Sequence, residues 1–325
     1  MRLSARSALL WIGLAVTVFF TYLAVRNAHL GDVLDALRES DKLWLVPAFL
    51  VLALAVFVRA VRWWSLYAPA TRPPLGAVTR ALLIGYFFNS VLPLRAGEAA
   101  RIVALHRWAG TSRAESTATA VLERVYDLLA LLLLLFAILP WLPPVTWLRA
   151  AAILLVALAI GLLGAVVVFA RYGARPLQVV LRPLSRVPLL GQARVEGGAL
   201  NLAQGLAGLR HPRIAVSAAV WTVLSWLLVG VSSWFVLLGF DLGLSVVAGL
   251  FVVITINLAL VLPSSPGAIG VFEAATVLAL RAYGISESEA LSYALVLHAL
   301  NFFPYIAAGL PLLRGGRWRP ERGAA

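Results

Sequence analysis

The sequence carries few ionisable side chains, and the ones it has gather in short clusters whose spacing suggests joint chemistry. The densest cluster is Leu122-Glu123-Arg124-Val125-Tyr126-Asp127. On a helix, Glu123 and Asp127 stand at i,i+4 and share a face, while Arg124 and Asp127 stand at i,i+3. Two readings are open: a self-neutralising pair that locks helices together, or an acidic lining that senses protons or a cationic group. A second cluster, Arg95-Ala96-Gly97-Glu98-Ala99-Ala100-Arg101, follows Pro93. Gly97 and Glu98 would open a helix whose free N–H groups and dipole, together with Arg95 and Arg101, suit a phosphate. The alternative is an internal pairing of Glu98 with Arg95 or Arg101. A third cluster, Arg59-Ala60-Val61-Arg62-Trp63-Trp64, either anchors a helix end by snorkelling to the interface or contacts a lipid phosphate.

Further along, Pro263, Ser264, Ser265, Pro266, Gly267 and Gly270 precede Glu273. Backbone N–H groups there form either an anion cradle or the tightest route for a chain reversal. Glu273 has no basic neighbour before Arg281, so its partner must come from elsewhere in the fold. Asn301, with His298 one turn before it, is placed to line the same site, although a single helical histidine is more often a packed or interfacial residue. No metal ligand set, catalytic residue or cofactor is expected. The chain has no cysteine, and it lacks the G-x-x-x-x-G-K-[ST], H-E-x-x-H and G-x-S-x-G patterns of nucleotide, zinc-protease and hydrolase sites.

The elements that position these residues must sit in lipid. Hydrophobic residues make up 62% of 325, charged residues 13%, and the mean hydropathy is +0.93. Soluble domains run at roughly 45–50% apolar and about 25% charged. Net charge is +13, and all but one of the 27 basic residues are arginine. The arginines cluster in the gaps between apolar runs, which is a topology signal and not a nucleic-acid stripe. An uncleaved first helix is expected over Ser7–Val25, because its far end lacks a small-x-small cleavage site.

Six segments are long enough to cross a bilayer: Ser7–Val25, Leu43–Tyr67, Thr117–Leu139, Trp147–Ala170, Ile214–Leu238 and Glu289–Leu313. Two further apolar stretches, Gly76–Trp108 and Leu244–Leu280, are broken at Asn89–Gly97 and Leu262–Gly270. Proline and glycine in mid-stretch free backbone groups that lipid cannot satisfy, so both read as re-entrant hairpins, the second also long enough for two spans. Placing the arginine-rich gaps in the cytoplasm requires each hairpin to return to its own side, with both termini cytoplasmic. The expected fold is thus an all-α polytopic membrane protein forming a single membrane domain over 1–325. Units 43–139 and 214–313 would form an inverted repeat whose broken helices meet near the midplane. The loop 171–212 reads either as an amphipathic segment on the inner leaflet or as a solvated connector, and Leu30–Leu43 as a short surface helix.

At these residues the sequence resembles the flippase-like transmembrane domain family of lysylphosphatidylglycerol synthase, in its free-standing form without a synthase domain. The matching pieces are Arg59-x-x-Arg62-Trp63, Asn89-x-x-Leu92-Pro93-x-Arg95-x-Gly97-Glu98-x-x-Arg101, Glu123-Arg124-x-x-Asp127 and Pro263-x-x-Pro266-Gly267-x-x-Gly270-x-x-Glu273. Ala268 departs from a frequent Pro-Gly-Gly form but keeps a small residue. The resemblance implies movement of a lipid between leaflets without its synthesis.

The leading expectation is therefore translocation of a lipid or lipid-linked headgroup across the cytoplasmic (inner) membrane. The arginines would engage phosphate, and Glu98, Glu123, Asp127 and Glu273 would balance them. A membrane-embedded enzyme that modifies lipid headgroups, or an accessory subunit of an envelope glycosyltransferase system, are the alternatives. Expected partners are a phospholipid or lipid-linked substrate and the bilayer, with a homodimer left open and no nucleic acid.

Overall fold

The computed structural model describes residues 18–92, 96–144, 157, 160–161, 164, 168, 171–172, 212–260 and 266–314. The start of the first apolar segment, most of Trp147–Ala170, nearly all of the loop 171–212, both termini, and Pro93, Arg95 and Pro263 lie outside the described residues.

Helices follow from local signals in the chain. Residues 18–25 are helical and lead into α1 (Leu30–Glu39), the surface helix expected from the sequence. Asp41 then accepts a hydrogen bond from Leu43 N at 2.9 Å, which starts the turn into α2 (Leu45–Ser65). α3 (Leu75–Val91) begins directly after Pro74, and α4 (Gly97–Ala109) ends on Gly110 in the left-handed conformation, φ 64°. α5 (Arg113–Ile138) is capped by the Ser112 side chain, which accepts from Glu115 N. This cap sets the helix start four residues before the apolar run at Thr117, so α5 is longer than hydropathy alone indicates. α6 (Pro212–Gly239), α7 (Val246–Ala259), α8 (Val271–Arg281) and α9 (Glu287–Arg314) complete the chain. Ser286 and Glu289 exchange hydrogen bonds across the start of α9.

Among the described residues, three helical stretches are long and apolar enough to cross a membrane: Lys42–Ser65, Pro212–Gly239 and Glu287–Leu313. The α3–α4 and α7–α8 pairs differ from them. At ~1.5 Å per residue, α3 spans about 26 Å and α4, α7 and α8 about 17–21 Å, all short of the ~30 Å hydrocarbon core. Each pair packs against itself as a hairpin. The chain is an all-α polytopic membrane protein.

Two units of the same order, a long helix, a short hairpin and a long helix, make up α2–α5 and α6–α9. Their leading helices α2 and α6 lie side by side and antiparallel. Asp41 N donates to Gly239 O (2.7 Å), Ser232 Oγ donates to Ala48 O (2.7 Å), and Arg59 lies over the Trp226 ring. Neighbour relations exchange in the same sense: α3 packs on α9 as α7 packs on α5, α2 on α3 as α6 on α7, and α4 on α5 as α8 on α9. Antiparallel equivalents with exchanged contacts are the geometry of an inverted repeat. The hairpin tips meet, because a Cβ on Gly267 would lie 3.6 Å from Ser90 O.

Candidate functional site

The buried charges converge where α2, α4 and α5 meet. Arg62, one turn from the end of α2, reaches α5 with both terminal nitrogens. Nη1 donates to Asp127 Oδ1, and Nη2 donates to Glu123 Oε1 at 2.8 Å. Arg101 of α4 sets Nη2 2.6 Å from Glu123 Oε2 and 2.6 Å from Glu98 Oε2. Arg124, half-exposed, lies at the outer edge, 3.5 Å from Asp127 Oδ2 and 3.6 Å from Glu98 Oε1. Arg62, Arg101, Glu123 and Asp127 are all buried.

Aromatic residues wall this cluster. Trp63 is fully buried, with the Arg101 guanidinium 4.5 Å above its ring and its own Nε1 donating to Thr119 Oγ1 at 3.0 Å. On the opposite side, Trp226 of α6 donates to Asp127 Oδ1 at 3.1 Å and stacks under Arg59, 4.5 Å from guanidinium to ring. Such cation–π contacts stabilise positive charge against an apolar wall. The structure thus overturns the interfacial anchor reading of Arg62 and Trp63. Two acids on α5 hold the arginine inward, where snorkelling cannot reach.

Arg59 differs from its neighbours. Its Nη1 donates to the Tyr86 hydroxyl at 3.5 Å, and its Nε has no hydrogen-bond partner among the described residues. No described acid lies within ion-pairing distance, Asp127 acting on it only at longer range. Tyr86 in turn packs against Tyr305 with ring centroids 4.7 Å apart. The described cluster therefore sets Arg59, Arg62, Arg101 and Arg124 against Glu98, Glu123 and Asp127, an excess of one positive charge.

Other candidates have more local duties. Asn89 Oδ1 accepts from Gly97 N at 2.9 Å, so it closes the first hairpin and takes up one N–H that the helix start would offer an anion. Asn301 Nδ2 is bonded to Leu297 O of its own helix. At the second hairpin Gly270 N donates to Glu273 Oε2 at 2.7 Å, so that N–H is likewise taken. The partner that Glu273 required is His298, whose Nδ1 meets Glu273 Oε1 while Nε2 lies 2.9 Å from Gly267 O. Arg281 is paired elsewhere, with Glu287. Pro266, Gly267 and Gly270 form the sharp turn that precedes α8. Among the described residues no group of His, Asp or Glu is arranged to hold a metal ion.

Ala268 gives the departure from Pro-Gly-Gly a physical meaning, because it holds φ at +58° directly after Gly267 at +68°. A left-handed L-residue costs roughly 1–2 kcal/mol, offset in part by the ~0.5–1 kcal/mol of extra unfolded-state freedom that glycine brings. Ala268→Gly is expected to raise unfolding stability by up to about 1 kcal/mol. A lowered denaturation midpoint in mixed micelles would contradict the strained turn.

Sequence reading did not reach Trp226, Thr119, Tyr86 or Tyr305. Trp226 carried a signal, as a tryptophan deep inside the apolar run of α6 instead of at its end. The aromatic hydroxyls carried none.

Known proteins resemble this chain over most of its length. Residues 10–309 match the lysylphosphatidylglycerol synthase TM region family. The UPF0104 membrane protein MJ1078 of Methanocaldococcus jannaschii is 23% identical over 233 residues, covering 69% of this chain and 91% of that protein. The glycosyltransferase AglD of Haloferax volcanii is 26% identical over 335 residues, covering 92% of this chain. The chain spans about half of AglD, 53% of its length. With both hairpins and the whole charge cluster inside the matched residues, the chain belongs to the lysylphosphatidylglycerol synthase TM region family.

Proposed function

We propose that this membrane protein, tied by its family to membrane lipids, translocates a phospholipid or lipid-linked headgroup across the cytoplasmic membrane without altering it covalently. The observation that carries the reading is Arg59, a cation at membrane depth against an aromatic wall, which makes no ion pair with a described acid and feels Asp127 only at longer range. An anionic phosphate passing the meeting point of the hairpins would complete that site, while the acyl chains stay in lipid. Arg124, partly open to the outside of the cluster, is the second phosphate contact.

A charge-assisted hydrogen bond contributes about 1.5–3 kcal/mol, so losing it costs roughly tenfold or more in binding. Arg59→Gln is expected to cut headgroup flux in reconstituted vesicles by at least that factor while the protein still folds. Flux equal to wild type sinks the reading. Mass spectrometry of the recovered lipids tests the absence of chemistry, for which the site offers support: Glu123 and Asp127 are both committed to arginines, leaving neither as a free acid or base. A second reading draws on the likeness to AglD, namely a membrane subunit serving an envelope glycosyltransferase. It expects Arg59→Gln to weaken partner binding and leave flux unchanged.

A further inference from the structure

Apart from the arginine cluster, one titratable pair is buried in the described residues. Glu273 and His298 have side chains 9% and 13% exposed, beneath the tip of the second hairpin. The imidazole meets an acceptor on each side. Nε2 lies 2.9 Å from the Gly267 carbonyl, which only accepts, so Nε2 carries a proton. Nδ1 faces Glu273 Oε1 at close range, which requires a second proton between them. That proton sits either on the ring, as imidazolium beside carboxylate, or on the carboxyl group beside neutral imidazole. In both forms the pair is neutral and holds one exchangeable proton. Its loss leaves two lone pairs opposed and one net negative charge among apolar groups, an unfavourable state for that geometry.

The surroundings isolate the pair. Phe272 stacks on the imidazole at 4.4 Å between centroids, and Phe302 meets its edge at 6.0 Å. Among the described residues of the packed elements, α7 has no titratable side chain. On α3, Arg80 is bonded to Gly76 O and Tyr86 lies against Tyr305. On α8 and α9, Arg281 pairs with Glu287, Tyr293 bonds Ser233, and Glu289 caps Ser286. None is ion-paired with Glu273 or His298.

The same two side chains clamp the turn. His298 holds Gly267 O and Glu273 holds Gly270 N, and Gly267 faces Ser90 O at the tip of the first hairpin. Asn89, next to Ser90, closes the hairpin that leads into Glu98 and Arg101. The clamp therefore bears on the tip of the first hairpin, whose returning helix carries Glu98 and Arg101. On the register set by the starts of α4 and α5 against α8 and α9, His298 occupies the place in the second unit that Arg124 holds in the first.

We propose that Glu273 and His298 form a proton-binding site that empties and refills in each translocation cycle, coupling headgroup movement to a proton by loosening the contact between the hairpin tips. The step is a simple ionisation: the neutral pair releases H⁺ to water reached as the tip opens, leaving neutral imidazole and carboxylate, and rebinding restores the clamp. This coupling rests on the translocation reading, whereas the proton site itself does not.

Glu273→Gln separates protonation from structure. Its amide oxygen accepts from Gly270 N, its amide N–H donates to Nδ1, and Nε2 still donates to Gly267 O, so every hydrogen bond survives without an exchangeable proton. In nanodiscs, pH-difference infrared spectra of the wild type should contain an imidazole–carboxyl component that is missing from both Glu273→Gln and His298→Asn. In phosphatidylethanolamine–phosphatidylglycerol vesicles, exchange of NBD-labelled phosphatidylglycerol should quicken several-fold under a pH gradient of one sign. Glu273→Gln should fold normally and lose that response. A wild-type spectrum without the component overturns the proposal whatever the flux shows. A gradient response that survives in Glu273→Gln overturns the coupling. Absence of flux in every protein overturns the translocation reading and the coupling with it, while the infrared component would still support the proton site.

Discussion

Glu123→Gln is expected to destabilise the protein by about 3–5 kcal/mol, the cost of removing one partner from a buried ion pair. Glu123 is fully buried and serves two arginines from different helices, Arg62 of α2 and Arg101 of α4. The substitution keeps the shape of the side chain, so the loss isolates charge from packing. Arg62 would keep Asp127 and Arg101 would keep Glu98, but the cluster would gain one more uncompensated positive charge. Adding Arg101→Gln restores the charge balance and frees Glu98 for Arg124. The double variant should therefore recover a large part of the lost stability, although it removes a further side chain. Unfolding in mixed micelles can follow the 11 tryptophans, of which Trp63 stacks with Arg101 at this site. A double variant as unstable as the sum of its parts would show that geometry, not charge balance, holds the cluster together.

The same cluster shows how far sequence carries. The helix count of each unit, the two breaks and the i,i+4 placement of Glu123 and Asp127 were all legible, because they depend on periodicity and on what lipid forbids. The identity of partners was not. Spacing along α5 suggested that Arg124 neutralises Asp127, yet Arg124 stands 3.5 Å away while Arg62, sixty-odd positions earlier, makes the close bond. That choice depends on α2 and α5 running antiparallel in contact, seen also in Tyr67 to Ser116 and Trp63 to Thr119, and no local pattern encodes it. Glu98 is similar: Arg101 was one of two partners its neighbourhood allowed, and Arg124 was not foreseen. Opposite orientation of the units was readable from arginine placement, since charge bias acts on each loop separately. That the broken helices meet was expected from the repeat, but which residues meet, Ser90 against Gly267, required the assembled bundle.

Gly97→Ala is expected to cost about 3 kcal/mol and to open the first hairpin. A Cβ at Gly97 would press on the backbone carbonyl of Gly85 and stand 2.6 Å from Asn89 Oδ1. Neither can yield cheaply: the carbonyl is part of α3, and the amide is the acceptor that holds Gly97 N. Overpacking typically costs 1–3 kcal/mol, and a backbone obstacle puts this case at the upper end. Gly85→Ala supplies the graded comparison, because its Cβ would meet Arg101 Cβ at 3.1 Å, Arg101 Cδ at 3.2 Å and Gly97 O at 3.2 Å. A shift of a few tenths of an ångström accommodates that contact, so a loss near 1 kcal/mol is expected, at the low end of the same range. Arg101 would move with it and disturb the ion pairs to Glu98 and Glu123. Flux should thus fall in both variants, but only Gly97→Ala should also shift the denaturation midpoint strongly. Equal midpoints for the two would mean that the helices of the hairpin can separate at little cost, and that its tip is held by Asn89 alone.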